Sequence, residues 1–489
     1  MKVTIQKAKN GEETAILENH FLHSNYAPLK EAERFVENLQ PPYLPSLIII
    51  TEPALSYAAV FLKKRFPEAK LGAIRYSNSF EKYNKDFDLV FNYFEHPDFE
   101  AYLENTLNEE DLLKCFFLPW GPSSQAFSET DKIVWKSIKA AMERAKTLLI
   151  TRQYFEKKWF INSCNFARYC KKVISLDTPL NKELLIISSG PSLNAFIKTI
   201  KDNQKRFFII CLSSAISVCL KNGIIPDLCM TSDGGYWAGE HLKALYKNDI
   251  PLAMPAEGYC KKSLLSKLKL LPLDYGDGFS HGLLAAANIK NIKTLRNGTV
   301  SGTALHFALS NFTKNIFLCG MDMAAQNGYQ HSQPNQLEIN SSLFDNRLKN
   351  KMTRLFKSGL TNGSLDIYRQ WFINNPQQTG NRKVYRLIEN KDAKNNLGWI
   401  KDIGLKDFQT EIASIPESEK IVFTDKPYNF DFNPSVIELL NNDKWKEQLF
   451  PLDYVQLSHS SQKEPINNKI EKEWKDLKLK AESILNADI

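Results

Sequence analysis

Two hydrophobic patterns alternate along this chain. Short unbroken apolar runs, SLIIIT at 46–51, LLIIS at 184–188, FFIICL at 207–212, LCMTS at 228–232 and NIFLC at 315–319, have the length and β-branching of strands buried on both faces. Between them, segments such as ALSYAAVFLKKRF at 54–66 and LNAFIKTIK at 193–201 carry apolar residues three and four apart, the period of a helix with one buried side. Strands alternating with helices predict an α/β fold whose sheet is mainly parallel and covered by helices on both faces.

The pattern breaks into three stretches. The runs at 46–51, 70–75 and 89–94 make a small Rossmann-like unit, and from 128 to about 165 the period is helical. A second series of strands starts at 184 and continues through 384–388, interrupted by a polar, helix-prone stretch at 336–371 that reads as an insertion or lid. Beyond Pro416 the chain is rich in Lys and Glu, with helical spacing at 434–449 and 468–485. The expected domains are 1–145 (an α/β Rossmann-like domain with a connecting helix), 146–412 (a central Rossmann-like domain) and 413–489 (a helical C-terminal region). Without GxGxxG, the first unit gives no ground for a dinucleotide; Glu52 at its first strand end reads as structural, and the DxD at Asp86 and Asp88 precedes its strand instead of following it.

Composition narrows the class. With 43% hydrophobic and 24% charged residues the chain reads as an ordinary globular protein, and no apolar run approaches the roughly 20 residues of a membrane span. The start lacks a signal-peptide core, and the eight cysteines stand singly within apolar stretches, so the expectation is a cytoplasmic protein with reduced core thiols. The net charge of +8 is spread along the chain, as solvated helix faces spread it, so a nucleic-acid partner is not expected.

In a parallel sheet, functional groups gather at the carboxyl ends of the strands. Read in order, those ends are Ser189-Gly190-Pro191-Ser192, Ser213-Ser214-Ala215, Asp233-Gly234-Gly235 and Gly320-Met321-Asp322. Ser301-Gly302-Thr303 opens a further apolar-faced helix, and a loop containing Gly328 ends at His331. Glycines, hydroxyls and two isolated carboxylates at successive strand ends describe a polar floor for a nucleotide-like ligand. The two Gly-hydroxyl turns at helix starts read as anion cradles, where a Cβ at Gly190 would block a phosphate and leave the fold intact.

These residues carry a resemblance. LLIISSGPSL, CLSSAI, NGIIPDLCMTSDG and TVSGTALHFALSNFTKNIFLCGMDMAAQNGYQH, over 184–331, resemble the central domain of the motility-associated factor glycosyltransferases, which modify flagellin with nonulosonic acids. The GPSL and SGxxxxxxA…IFLCGMDM pieces are similar to bacterial sialyltransferases that use CMP-sialic acid. The resemblance implies a transferase moving a nonulosonic acid from a CMP-activated donor to Ser or Thr of flagellin, in support of flagellum assembly and motility. It implies CMP phosphate and ribose at Ser189, Gly190, Pro191, Ser192, Ser213, Ser301, Gly302, Thr303 and Asp322, and the sugar along the segment to His331. It implies neither a cofactor nor a metal. Ser213 and Ser189 depart from the asparagine or glycine often found there.

The acceptor hydroxyl needs a base. His331 and Asp233 are the candidates; His306, inside ALHFAL, reads as a core histidine, His281 as a weaker loop candidate, and Asp233 equally as an Asx turn. Two other readings stay open. The GPSL-containing domain is also similar to archaeal pterin pyrophosphokinases, which implies ATP, magnesium and a pterin, and a non-catalytic module that binds flagellin or another glycoprotein is the third.

Overall fold

The computed structural model describes residues 3–176, 179–324, 331–353, 363–389, 396–460 and 462–487. The chain forms two compact units, Met1–Glu156 with Asp443–Lys475, and Lys157–Asn442 with Asp476–Ile489. Of the stretch 413–489, therefore, the part from Asp443 to Lys475 packs with the N-terminal residues: Gln153 Oε1 accepts the N–H groups of Leu452 (3.0 Å) and Asp453 (3.3 Å), and Gln153 Nε2 donates to Asp453 Oδ2 at 2.7 Å.

In the first unit, an antiparallel trio β1 (Val3–Lys7), β2 (Glu13–Leu17) and β3 (His20–Phe21) precedes a parallel sheet of β4 (Leu47–Thr51), β5 (Lys70–Arg75), β6 (Leu89–Asn92) and β7 (Cys115–Pro119) in the order β6-β5-β4-β7. Every residue of β4 is buried, as its run of β-branched side chains dictates. Glu52, just past β4, is structural: its carboxylate receives Arg75 Nη1 (3.0 Å) and the N–H of Tyr76 (2.6 Å) in an interior where either charge alone would be costly. Asp88 is structural too, accepting the N–H of Leu71 at 2.8 Å.

The second unit is built on one sheet, eleven-stranded among the described residues. Its strands are β8 (Lys172–Ser175), β9 (Leu184–Ile187), β10 (Phe208–Leu212), β11 (Leu228–Met230), β12 (Leu252–Pro255), β13 (Lys269–Asp274), β14 (Ile292–Lys293), β15 (Ile316–Cys319), β16 (Val384–Leu387), β17 (Lys401–Ile403) and β18 (Thr424–Pro427). The order is β17-β16-β15-β9-β10-β11-β12-β13-β8-β18, with β14 beside β13, and only β18 runs antiparallel. The fold is thus the expected α/β arrangement with a mainly parallel sheet.

From β9 the chain steps outward through β10, β11, β12 and β13. It then returns within helix Val300–Asn311 to place β15 on the other side of β9. The direction of winding reverses between β9 and β15, and in such sheets the crevice outside that reversal is where ligands bind. Every residue of β9 and β10 is buried, and on one face Leu184, Ile186, Phe208 and Ile210 pack with Leu305, Phe307 and Leu318. All eight cysteines are buried and none forms a disulfide. No helix among the described residues is long and apolar enough to cross a membrane.

Candidate functional site

The carboxyl ends of β9 and β15 interlock. Ser188 N–H donates to Cys319 O (2.8 Å) and Gly190 N–H to Gly320 O (2.7 Å), with Gly320 in the left-handed region at φ 69°. Asp322 folds back so that Oδ2 accepts the N–H of Ser192 at 2.8 Å, at the start of helix Leu193–Asn203. The anion favoured at that helix start is thus a carboxylate of the protein itself. This corrects the expectation of free N–H groups awaiting a phosphate: those of Gly190 and Ser192 are taken. At the second turn, Thr299 Oγ1 accepts the N–H of Gly302 at 3.0 Å and caps helix Val300–Asn311.

The side-chain hydroxyls differ. Ser192 Oγ and Thr303 Oγ1 are buried and make no hydrogen bond of proper geometry, although Ser192 lies beside the Asp322 carboxylate and Thr303 beside the Tyr275 phenol. Ser188 Oγ and Ser301 Oγ face each other at 3.4 Å and join the two turns. Along the floor Ser214 Oγ donates to Ser189 Oγ (2.8 Å) and Ser213 Oγ to Thr231 Oγ1 (3.4 Å). Pro191 is buried in the turn. Burial pushes the Asp322 carboxyl above its ordinary range, opposed by the hydrogen bonds from Ser192 and by Arg386.

The segment carrying His331 is stitched across this floor. Ser332 N–H donates to Ser189 O (2.6 Å), Ser332 Oγ to Gly190 O (2.7 Å) and Asn335 Nδ2 to Ser214 O (3.3 Å). His331 is partly buried, and burial lowers its pKa from the ordinary imidazole value, with Glu338 opposing. It is therefore held neutral more firmly than a solvated loop histidine. Residues 325–330, including the rest of the loop before His331, lie outside the described residues, as does 354–362 of the expected lid.

Asp233 is exposed and its Oδ1 accepts Gly235 N–H at 2.8 Å, so it does form an Asx turn. Its carboxylate still acts on His241, whose surroundings bring His331 and Glu240 near as well. Burial lowers the His241 pKa to about 4, His331 opposing its charge and Asp233 and Glu240 favouring it. A histidine depressed in the folded state leaves stability untouched above its unfolded value near 6.5, then withdraws it as pH falls toward 4. We expect a loss on the order of 3 kcal/mol across that window, about 1.4 kcal/mol per unit. Urea unfolding at pH 7 and pH 4.5 checks this, and His241→Gln should flatten the difference; parallel pH dependences would refute the assignment.

Other residues join the site without having been foreseen. Glu257, at the end of β12, is buried, paired with Arg296, and accepts Ser280 Oγ at 3.2 Å; burial raises its carboxyl and Arg296 opposes. Arg296 stacks over Tyr275 (4.6 Å) and Trp159 (5.5 Å), and burial, with Glu257 adding, pushes the Tyr275 phenol to about 12. Asn162 Nδ2 clips the ends of β11 and β12 by donating to Gly234 O (3.1 Å) and Glu257 O (2.9 Å). The signal that flagged Asp322, an acid at a strand end, reaches Glu257 only once β12 is recognised as a strand. Of the remaining histidines, His306 Nδ1 accepts Leu295 N–H (3.2 Å) as a structural residue does, and His281 Nδ1 sits 2.8 Å from the buried Asp274. Among the described residues no group of three His, Cys, Asp or Glu side chains is set to hold a metal ion.

Residues 157–328 match the family model of the MptE-like 6-hydroxymethylpterin diphosphokinases. An uncharacterized protein of Treponema pallidum (strain Nichols) is 25% identical over 329 residues, 67% of this chain and 71% of that protein. A second, also uncharacterized and from the same organism, is 24% identical over 125 residues, 25% of this chain and 57% of that protein. The structure of the MAf glycosyltransferase from Magnetospirillum magneticum AMB-1 aligns over 99% of this chain and 90% of its own, at 13% identity and a TM-score of 0.49.

Proposed function

We propose that the protein is a glycosyltransferase that moves a nonulosonic acid from a CMP-activated donor to a Ser or Thr hydroxyl of flagellin. The observation that carries the reading is the pair of buried hydroxyls, Ser192 Oγ and Thr303 Oγ1, left without a well-formed hydrogen bond in the two turns at the β9/β15 crevice. Buried polar atoms without a well-formed hydrogen bond are rare in folded proteins, and these two belong to the turns that border the β9/β15 crevice, where an α/β sheet takes its ligand. The ordered motifs over 184–331 supply the chemical class.

In this reading Asp322 and the Gly190 turn hold the ribose, since a phosphate placed against that carboxylate would be repelled. The phosphate then lies toward Ser301, Gly302 and Thr303, and Ser189 and Ser213 complete the floor. The bond from the anomeric carbon to the phosphate oxygen breaks with its electron pair leaving on CMP. The acceptor oxygen bonds to that carbon, and its proton passes to neutral His331, with Glu338 favouring the imidazolium.

Ser192→Ala and Thr303→Ala should each change the unfolding free energy by less than about 1.5 kcal/mol, because each hydroxyl makes only a poorly aligned contact, with Asp322 and Tyr275 respectively. Thr303→Ala, on the phosphate side, should weaken CMP binding by the value of one charge-assisted hydrogen bond, on the order of 1.5–3 kcal/mol, and Ser192→Ala, on the ribose side, by that of a neutral one, about 0.5–1.5 kcal/mol. Calorimetric titration of CMP beside urea unfolding checks both, and unchanged affinity in the two variants would remove the site.

The match to a diphosphokinase family model supports a second reading, pyrophosphoryl transfer from ATP with magnesium to a pterin. Heat protection separates the two. Protection by CMP that survives EDTA supports the transferase, protection by ATP only with magnesium supports the kinase, and protection by neither supports a flagellin-binding module.

A further inference from the structure

One edge of the site continues into an apolar face. Helix Gln336–Ser342 is rooted at the rim: Asn335, its cap, donates to Ser214 O, and Asn340 Nδ2 donates to Glu240 Oε2 at 3.3 Å, so the helix lies against Tyr236–His241. Past it, Leu343, Phe344, Leu348 and Met352 are each between 73 and 86% exposed. On the neighbouring helix Tyr236 and Trp237 are at least half exposed. The segment has local order of its own, with Asn346 Oδ1 accepting the N–H groups of Leu348 (3.0 Å) and Lys349 (2.9 Å) and Asn350 Oδ1 accepting that of Thr353 (2.9 Å). Large side chains are thus held outward by defined turns. Exposed apolar clusters of this kind mark interaction surfaces.

Arg347 and Lys349 stand exposed between the apolar positions, and Lys243 and Lys261 lie beside Glu240 at the inner end of the face. We propose that this face docks the polypeptide acceptor through an amphipathic segment with an apolar stripe and acidic flanks. The inference rests on the transferase reading and extends it. A polypeptide hydroxyl has to be delivered to His331, and Asn335, which anchors the face to the site floor, lies four residues beyond that histidine. A small soluble acceptor would need no such surface. Bound here, a polypeptide covers the exposed Leu and Phe side chains and pairs its carboxylates with Arg347 and Lys349.

The test uses the full chain carrying Leu343→Ser, Phe344→Ser and Leu348→Ser together, and separately Arg347→Glu with Lys349→Glu, with purified unglycosylated flagellin as probe. Expected are a rise of at least about tenfold in KM for flagellin in both variants, with CMP protection and the slow hydrolysis of donor without acceptor unchanged. An unchanged KM overturns the proposal. So does an unchanged KM with loss of a dimeric mass in light scattering, which assigns the face to a second copy, or with loss of flotation on anionic phosphatidylserine vesicles, which assigns it to a membrane surface. If the wild type binds flagellin without transferring sugar, the transferase reading falls alone. Docking then stands when the triple variant loses that binding and falls when it keeps it.

Discussion

On the proposed transferase reading, His331→Ala should lower sugar transfer to flagellin by roughly 10²–10⁴-fold, the range that removal of a general base produces, with CMP affinity little changed. The nucleotide contacts proposed for Ser192, Thr303 and Asp322 do not involve the imidazole, so binding and turnover separate. Because burial depresses the His331 pKa, the neutral form that accepts a proton persists below the ordinary imidazole value of 6.5. The acid limb of kcat should therefore fall below that value, with a plateau through neutral pH, and disappear in the variant. Full turnover in His331→Ala, or an acid limb unmoved by the substitution, would remove this residue from the chemistry. Glu338 opposes the depression, so Glu338→Gln should carry the acid limb to still lower pH.

The centre of the sheet was legible because its strands are pure. LLII and FIICL have no polar residue to accommodate and can only be interior, and the Ser-Gly-Pro-Ser turn after the first marks where the chain leaves the sheet. β12 and β13 were not legible, since LAMP and KLLPLD each contain a proline, which in a lone sequence argues against an interior strand. The structure resolves the conflict at Pro272. On its outer side β8 pairs only with Lys269 and Leu270, and the pairing with β14 begins at Leu273, so Pro272 falls in a gap between partners there. With β12 unread, Glu257 had no strand end to stand on. Asp322 was found for the converse reason, following the unmistakable IFLC. What no pattern could supply is the long-range closure: the Asp322 carboxylate meets Ser192 N–H across 130 residues of chain.

That closure sets the outcome of Gly190→Val. A phosphate-cradle role alone predicts a folded protein that has lost its nucleotide. The packing predicts something else, because a Cβ at 190 would fall on Gly320 O and lie 2.6 Å from Asp322 Oδ2. Neither can retreat. Gly320 O accepts the N–H of residue 190 itself, and a Cβ on Gly320 would in turn strike Ser188 O, so the two backbones are pressed together with no side chain between them. Asp322 is fixed by Ser192 N–H, and Arg386, which binds Asp402 through two hydrogen bonds of 2.7 and 2.6 Å, backs the same turn through Met321 O. Forcing the strands apart breaks the β9/β15 junction at the middle of the sheet, and we expect about 3 kcal/mol or more of destabilisation, the upper end of what overpacking a core costs. Urea unfolding of Gly190→Val measures it, with Gly190→Ala as the milder companion that meets the same two atoms with no further bulk. A Gly190→Val protein as stable as the wild type would show that the junction opens freely. The glycine would then be required for ligand approach alone.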